Sequence, residues 1–303
     1  MSQVEMPDLP SPGGGRTWER WRALIDVARQ DLAAARLAEG HHDAVAILSE
    51  LGVERPPGFL GVWAAEPQRT SARLVVEGWR LGGAKAWCSG ASSVDHALVT
   101  ATAPEGPRLF LLDTALPGVE AIEGSWPSVG MAATDSATVE LHVTVPHAAA
   151  VGEAGAYTER AGFWHGGAGV AACWYGGAVG VAERLRRAVQ DRPDPHRLAA
   201  LGAGLADLDA AGALLRATAA AIDRDPTSVA EARRGALAVR AVVWAAGRRV
   251  VDATEDVLGA RPLCLDPAFA SDLLDLRTYL AQHHGPADLA QLGEVGLDHE
   301  VTP

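Results

Sequence analysis

The chain has 303 residues, 48% of them hydrophobic and 21% charged, the balance of an ordinary globular protein with a sizeable core. Its 38 acidic against 26 basic residues leave a formal charge of −12, which repels phosphate backbones and argues against nucleic acid and anionic membrane as partners. Three cysteines, Cys88, Cys173 and Cys264, lie far apart without a CxxC pair, which predicts reduced thiols and a cytoplasmic protein rather than a disulfide framework.

Residues 1–15 are rich in Pro, Gly and Ser and read as a disordered tail. They lack the basic-then-apolar pattern of a signal peptide. Thr17 is the predicted N-cap of a helix with Trp21, Leu24, Ala28, Leu32 and Ala35 at helical spacing, ended by Gly40. A second helix is predicted over 42–51, stopped at Gly52, so that residues 16–57 form a short N-terminal helical segment closed by a Pro/Gly linker.

Between residues 58 and 155 the texture is that of a β domain, with strands predicted over 97–102, 108–112 and 138–145. The run from Glu140 to Val145 alternates with period two, as a half-buried strand does. Residues 156–293 are helical in pattern, with helices predicted over 166–189, 195–222, 227–258 and 267–284 forming a bundle, and a tail over 294–303.

An uncharged stretch over 164–181 just reaches the length of a membrane span, but its glycines and His165 favour a buried helix. Gly166-Gly167 and Gly176-Gly177 are followed by no Lys-Ser/Thr, so they read as places where helices approach closely rather than as a phosphate loop. His41-His42 and His283-His284 are adjacent pairs whose side chains diverge by about 100° on a helix, and no metal site is expected.

Four segments carry a resemblance. Ala64-Ala65-Glu66-Pro67-Gln68-Arg69-Thr70-Ser71-Ala72 is similar to the L-T-E-P-x-x-G-S-D motif of the acyl-CoA dehydrogenases. Leu81-Gly82-Gly83-Ala84-Lys85-Ala86-Trp87-Cys88-Ser89-Gly90 resembles that family's G-x-K-x-W-I-(T/S) turn. Pro117-Gly118-Val119 with the run from Trp126 to Thr134 resembles its P-G-v and l-G-m pair, and Asp256 to Leu263 its Q-I-x-G-G segment. The four stand in the family's order over roughly residues 20–293.

The resemblance implies an α+β, acyl-CoA dehydrogenase-like fold of short N-terminal helical segment, central β-barrel or sandwich domain and C-terminal bundle. It implies FAD, with FMN as the alternative, held where the β domain meets the bundle. Main-chain groups at Ala64 and Ala65 would face the pyrimidine edge of the flavin and Ser71 the pyrophosphate side. Trp87 would stack on the ring, with Cys88 beside it and Ser89 near N5, while Asp256 and Gly259 would meet a neighbouring subunit's cofactor. Taken alone, Trp87 reads as a buried β-domain aromatic and Ser89 as a turn residue, and it is the neighbouring motif residues that reverse this reading.

The chain departs from the family in three places. Only about fifty residues precede the β domain. The R-x-x-F-G segment that binds pyrophosphate is replaced by Gln190-Asp191-Arg192-Pro193-Asp194-Pro195, and Asp256 stands in place of a Gln. Counted without gaps from Gly259, His283 falls on the family's catalytic Glu and Asp275 on the Asp of its R-D-A stretch. An imidazole suits general-base work near neutrality, whereas a His at a helix end also serves as an exposed cap; Asp252 and Glu255 are the other candidates for the base. The expected activity is a flavin-dependent oxidation, at a CH–CH group, of an acyl thioester or related small molecule with an altered base. Alternatives are a non-catalytic or half-site partner subunit and a flavin monooxygenase of the same fold. A homodimer or homotetramer is expected, or an assembly with a second subunit of the family.

Overall fold

The computed structural model describes residues 8–65 and 70–297, which fall into two units. Among these residues two helices, α1 (Thr17–Ala28) and α2 (Leu32–Glu50), precede the strands β1 (Leu60–Trp63), β2 (Ser71–Val75), β3 (Gly78–Cys88), β4 (His96–Ala103), β5 (Gly106–Asp113), β6 (Val119–Ile122), β7 (Ala137–Val145) and β8 (Ala150–Val151). Helices follow: α3 (Ala156–Glu159), α4 (Ala161–Asp191), α5 (Pro195–Arg224), α6 (Val229–Leu258), α7 (Ala260–Leu265), α8 (Pro267–Leu280) and α9 (Pro286–Leu297).

The β unit comprises Arg36–Ser128 and Ala132–Phe163 together with Asp8. Its strands form one mixed sheet in the order β6-β7-β3-β2-β4-β5-β8, with β1 parallel to β4. The alternation read in the sequence of β7 is realised: Val139, Leu141, Val143 and Val145 are buried and the residues between them exposed. Those side chains share a core with Trp63, Trp79, Leu81, Phe110 and Leu112. Residues from β7, near one end of the strand order, and from β5, near the other, meet in that core, so the sheet curls around it. Ala44, Ile47 and Leu48 of α2 cover a second face, against Leu60, Leu98, Leu109 and Val151. Burial of such a Leu or Ile is worth about 1.5–3 kcal/mol.

That packing overrides the helix stop expected at Gly40. α2 runs straight through it, because a mid-helix glycine costs only about 1 kcal/mol, less than the face beyond it recovers. The break comes earlier, at residues 29–31, where the Asp31 carboxylate accepts from the Ala34 N–H at 2.8 Å and starts α2.

The helical unit comprises Leu9–Ala35, Val129–Met131 and the chain from Trp164 onward. Its core joins Trp21, Leu24 and Ile25 of α1, Trp174 and Ala178 of α4, Leu208 and Leu215 of α5, Val243 and Val250 of α6, and Phe269, Leu276 and Tyr279 of α8. The glycines of α4 act as the sequence suggested. A Cβ on Gly176 would lie 2.6 Å from the Ile25 carbonyl oxygen, and one on Gly180 2.7 Å from that of Arg29, so the α1 segment lies directly on this stripe.

Two expectations for the N-terminus are corrected. Residues 8–15 are described and make defined contacts, with Gly13 against Pro226 and the Gly15 N–H donating to Asp223. Thr17 is not the N-cap of α1; Arg16 holds that position without a side-chain bond. The Thr17 hydroxyl donates to Asp223 Oδ1 at 2.6 Å, and the Thr17 N–H donates to Oδ2 of the same carboxylate at 3.0 Å. The cap is supplied from α5, about two hundred residues away in sequence.

Candidate functional site

The predicted flavin-wall residues Ala64, Ala65, Ser71, Trp87, Cys88 and Ser89 all belong to the β unit. Of the first motif, Glu66, Pro67, Gln68 and Arg69 lie outside the described residues. The second motif is largely strand rather than turn: β3 carries it, pairing with β7 until the register slips between Lys85 and Cys88. Such a bulge re-aims side chains. Lys85 is 1% exposed and Cys88 fully buried, whereas Trp87 between them is 58% exposed with φ 59°.

A bulky residue at positive φ costs on the order of 1–3 kcal/mol and persists only where its neighbours enforce it. Here the enforcement is visible. Lys85 Nζ donates to Thr100 Oγ1 at 2.7 Å, and the Cys88 thiol donates to the Lys85 carbonyl at 3.2 Å. Trp87 is therefore not the buried aromatic of the core reading but an indole held outward on strained backbone. Cys88 is corrected the other way: its side chain faces the core, burial pushes its thiol up to about 12, and only its main chain can border a ligand at this face.

Ser89 is half-buried and tied down on both sides. Its carbonyl accepts from Trp63 Nε1 at 3.0 Å, which brings the end of β1, and with it Ala64, to the end of β3. Its hydroxyl accepts from Ser136 at 3.3 Å, and Ser136 shares a 2.8 Å bond with Thr134. Next to it the Gly90 and Ala91 N–H groups donate to the Thr134 and Asp135 carbonyls, both at 2.9 Å. Ser71 is exposed, and its hydroxyl donates to the Gly82 carbonyl at 3.3 Å. Trp63 and Ser136 were missed by sequence reasoning, and Thr134 entered only as the end of a motif; a cross-strand indole and a hydroxyl chain leave no periodic signal.

In the helical unit, Asp256 and Gly259 are exposed at the end of α6. Gly259 is left-handed, φ 66°, and no atom lies within 4 Å of where a Cβ would stand, so backbone conformation rather than room requires it. His283 is neither an exposed cap nor an accessible base. Its side chain has no accessible surface, it stacks on Trp244, and its Nδ1 accepts from the Gly285 N–H at 3.0 Å. Nε2 therefore carries the proton of the neutral ring; among the described residues it has no hydrogen-bond partner, with Asp288 Oδ2 at 3.9 Å. Burial lowers its pKa below the ordinary imidazole value. His284, by contrast, is exposed and paired with Asp288 at 3.3 Å.

The carboxylates that stand as alternative bases are engaged. Asp252, at 3.5 Å, and Glu255 both pair with Arg277. Asp275 accepts from the Met131 N–H, and burial raises its pKa while that bond lowers it. At the segment replacing R-x-x-F-G, Asp194 N-caps α5 by accepting from the N–H groups of His196 and Arg197. Those bonds hold its carboxyl below the usual range. A helix N-terminus is a ready anion site, and here a side chain of the chain itself occupies it.

Among the described residues no group of three His, Cys, Asp or Glu could hold a metal ion. His41 is a structural residue, accepting from the Leu60 N–H at 3.0 Å and stacked on Phe59. The stretch over 164–181 lies in α4, much of it buried. It is α5 that is long and apolar enough to cross a membrane by length and composition, with a mean hydropathy of 1.5 over an 18-residue window that is only 28% buried.

No family model matches the chain, and no curated protein does. Solved structures match over nearly its whole length. The dibenzothiophene monooxygenase TdsC from Paenibacillus sp. A11-2 is 22% identical, covers 96% of this chain and 84% of its own, and superposes with a TM-score of 0.81. The methanesulfinate monooxygenase MsuC from Pseudomonas fluorescens is 20% identical over 96% and 85% of the two chains, TM-score 0.80. A glutaryl-CoA dehydrogenase from Mycobacterium smegmatis is 18% identical over 95% and 81%, TM-score 0.80. The chain has the acyl-CoA dehydrogenase fold.

Proposed function

We propose that this protein is a flavin-dependent oxidoreductase acting on a small molecule, with the flavin ring on the Trp87–Ser89 face of the β unit. One observation carries this: an exposed indole, locked at positive φ between two buried neighbours, is a ready stacking surface for a planar ring. Ser89, held by Trp63 and Ser136, and the main chain at Ala64 and Ala65 supply polar groups around it. Bound there, a flavin supplies two-electron transfer, while the chain orients the ring and fixes donors at its edge. Solved relatives of this fold contain FMN with indole in one case and FADH2 in another.

Asp194 fills the N-terminus of α5 in the segment that stands in place of the family's R-x-x-F-G pyrophosphate site, which leaves that site without a free anion-binding group. This favours FMN over FAD. Within oxidoreductases, the monooxygenase reading has the stronger support. Asp252, Glu255 and Asp275 are each engaged and His283 is buried, so none of these four candidates stands free to take the α-proton of a thioester.

The deciding measurement is a titration of the purified protein with FMN and with FAD, followed by absorbance and flavin fluorescence. Saturable binding is expected. Affinity weaker than about 100 µM for both, roughly −5.5 kcal/mol, overturns the enzyme reading in favour of a partner subunit. Self-association through the helical unit accompanies this reading. α5 leaves most of an apolar window unburied, including Leu198 and Leu205, and light scattering at tens of micromolar is expected to give a dimer or larger.

A further inference from the structure

The β unit holds a partly open cavity of about 160 Å³ lined by Ala64, Thr100, Arg108, Tyr157 and Phe163 among others. It is too small for a flavin, since ordinary ligand pockets start near ~300 Å³. A cavity of about 150 Å³ does take up a single ring the size of benzene. Tyr157 and Phe163 form one wall, their rings edge to face with centres 5.4 Å apart, as an aromatic guest prefers.

The polar groups at this cavity have fixed roles. Thr100 accepts from the buried ammonium of Lys85 at 2.7 Å. An ammonium only donates, so the Thr100 hydroxyl must send its own hydrogen elsewhere, and among the described residues no bond donated by it is found. A hydroxyl that accepts from a buried cation is polarised and becomes a stronger donor. The Tyr157 phenol adds no charge to the wall, because burial pushes it up to about 12 and keeps it protonated. No carboxylate lines the cavity. The guanidinium charge of Arg108 is met by Glu105 and Glu153, at 2.9 and 3.1 Å, while its Nε has no partner among the described residues, so the site offers no free charge for a charged guest.

We infer that this cavity binds a small uncharged aromatic molecule through an oxygen acceptor of carbonyl type, with Thr100 as the donor and Tyr157 and Phe163 as the ring wall. No flavin is needed: Thr100, Tyr157 and Phe163 are not among the residues placed at the flavin face, and only Ala64 borders both that face and the cavity.

The test compares acetophenone with ethylbenzene, which has the same skeleton but no oxygen, by ligand-detected NMR titration of the full-length protein as purified. Acetophenone is expected to bind about tenfold more tightly, the worth of one polarised hydrogen bond. Thr100→Val should erase that preference and Thr100→Ser should keep it, while Phe163→Trp should fill the cavity and abolish both. Equal binding of the two probes, a preference that survives Thr100→Val, or binding that survives Phe163→Trp overturns the inference. If Thr100→Val fails to fold because Lys85 loses its acceptor, the wild-type preference and its loss in Phe163→Trp decide the matter by themselves. A failure of flavin binding would leave these outcomes unchanged, so the two readings fail separately.

Discussion

The imidazole of His283 lies face to face with the indole of Trp244, 4.5 Å between ring centres and 14° between their planes. The stack buries an ionisable ring that solvent cannot reach, and stability should therefore depend on pH. The groups facing it are Asp288, which favours its charged form, and Arg240 and His284, which oppose it; burial is the larger effect and lowers its pKa below 6.5. The unfolded chain then takes up a proton before the folded chain does, so stability from this group is complete above pH 6.5 and is lost as pH falls below it. His283→Gln should lower Tm at pH 7.5 but shrink the further drop between pH 7 and 5. An equal or larger acid-side drop in the variant, by differential scanning calorimetry, would show that His283 is not buried neutral.

Trp87→Gly separates stability from binding. Glycine adopts φ 59° without strain, and the indole it removes is mostly exposed. The unfolding free energy from urea denaturation should stay the same or rise by up to about 1 kcal/mol, while flavin affinity falls at least tenfold. A destabilised variant with unchanged flavin affinity would return Trp87 to a packing role.

Mixing the flavin-loaded protein with a panel of saturated acyl-CoA thioesters in a stopped-flow instrument should produce little or no flavin bleaching. A well-placed general base is worth about 10²–10⁴-fold, and the carboxylates of this region are held by Arg277 and by the Met131 N–H. Rapid bleaching that is lost in Asp252→Asn or Glu255→Gln would show that the pairing with Arg277 opens during turnover.

Two glycine substitutions should move stability in opposite directions. Gly176→Ala drives a Cβ to 2.6 Å from the Ile25 carbonyl oxygen and 2.7 Å from Ala28 Cβ, and should cost about 1–3 kcal/mol by forcing α1 away. Gly202→Ala, in α5 with nothing within 4 Å, should gain up to about 1 kcal/mol from helix propensity. Chemical denaturation of the two variants beside wild type checks the pair.

The succession of helical, β and helical segments was legible in the sequence because it rests on local periodicity, whereas the motif carried by β3 read as a turn. The alternation around Leu141 specified β7, and the Ala/Leu spacing beyond Pro195 specified α5, which starts at Pro195 as expected. Motif order likewise pointed to the fold. What lay beyond reach depended on residues distant in sequence. Gly40 is an intrinsic stop that α2 ignores because Ala44, Ile47 and Leu48 are buried against strands that follow it. The cap of α1 is Asp223, which no spacing rule links to Thr17. Exposure at Trp87 and burial at His283 are opposite fates for two residues that both read as ambiguous. A bulge pinned by Lys85 and Cys88 decides the first, and the face of Trp244 decides the second. Hydrophobic pattern records which side of an element is inside; whether a particular ring is inside depends on what the rest of the chain brings against it, and only the tertiary structure decides that.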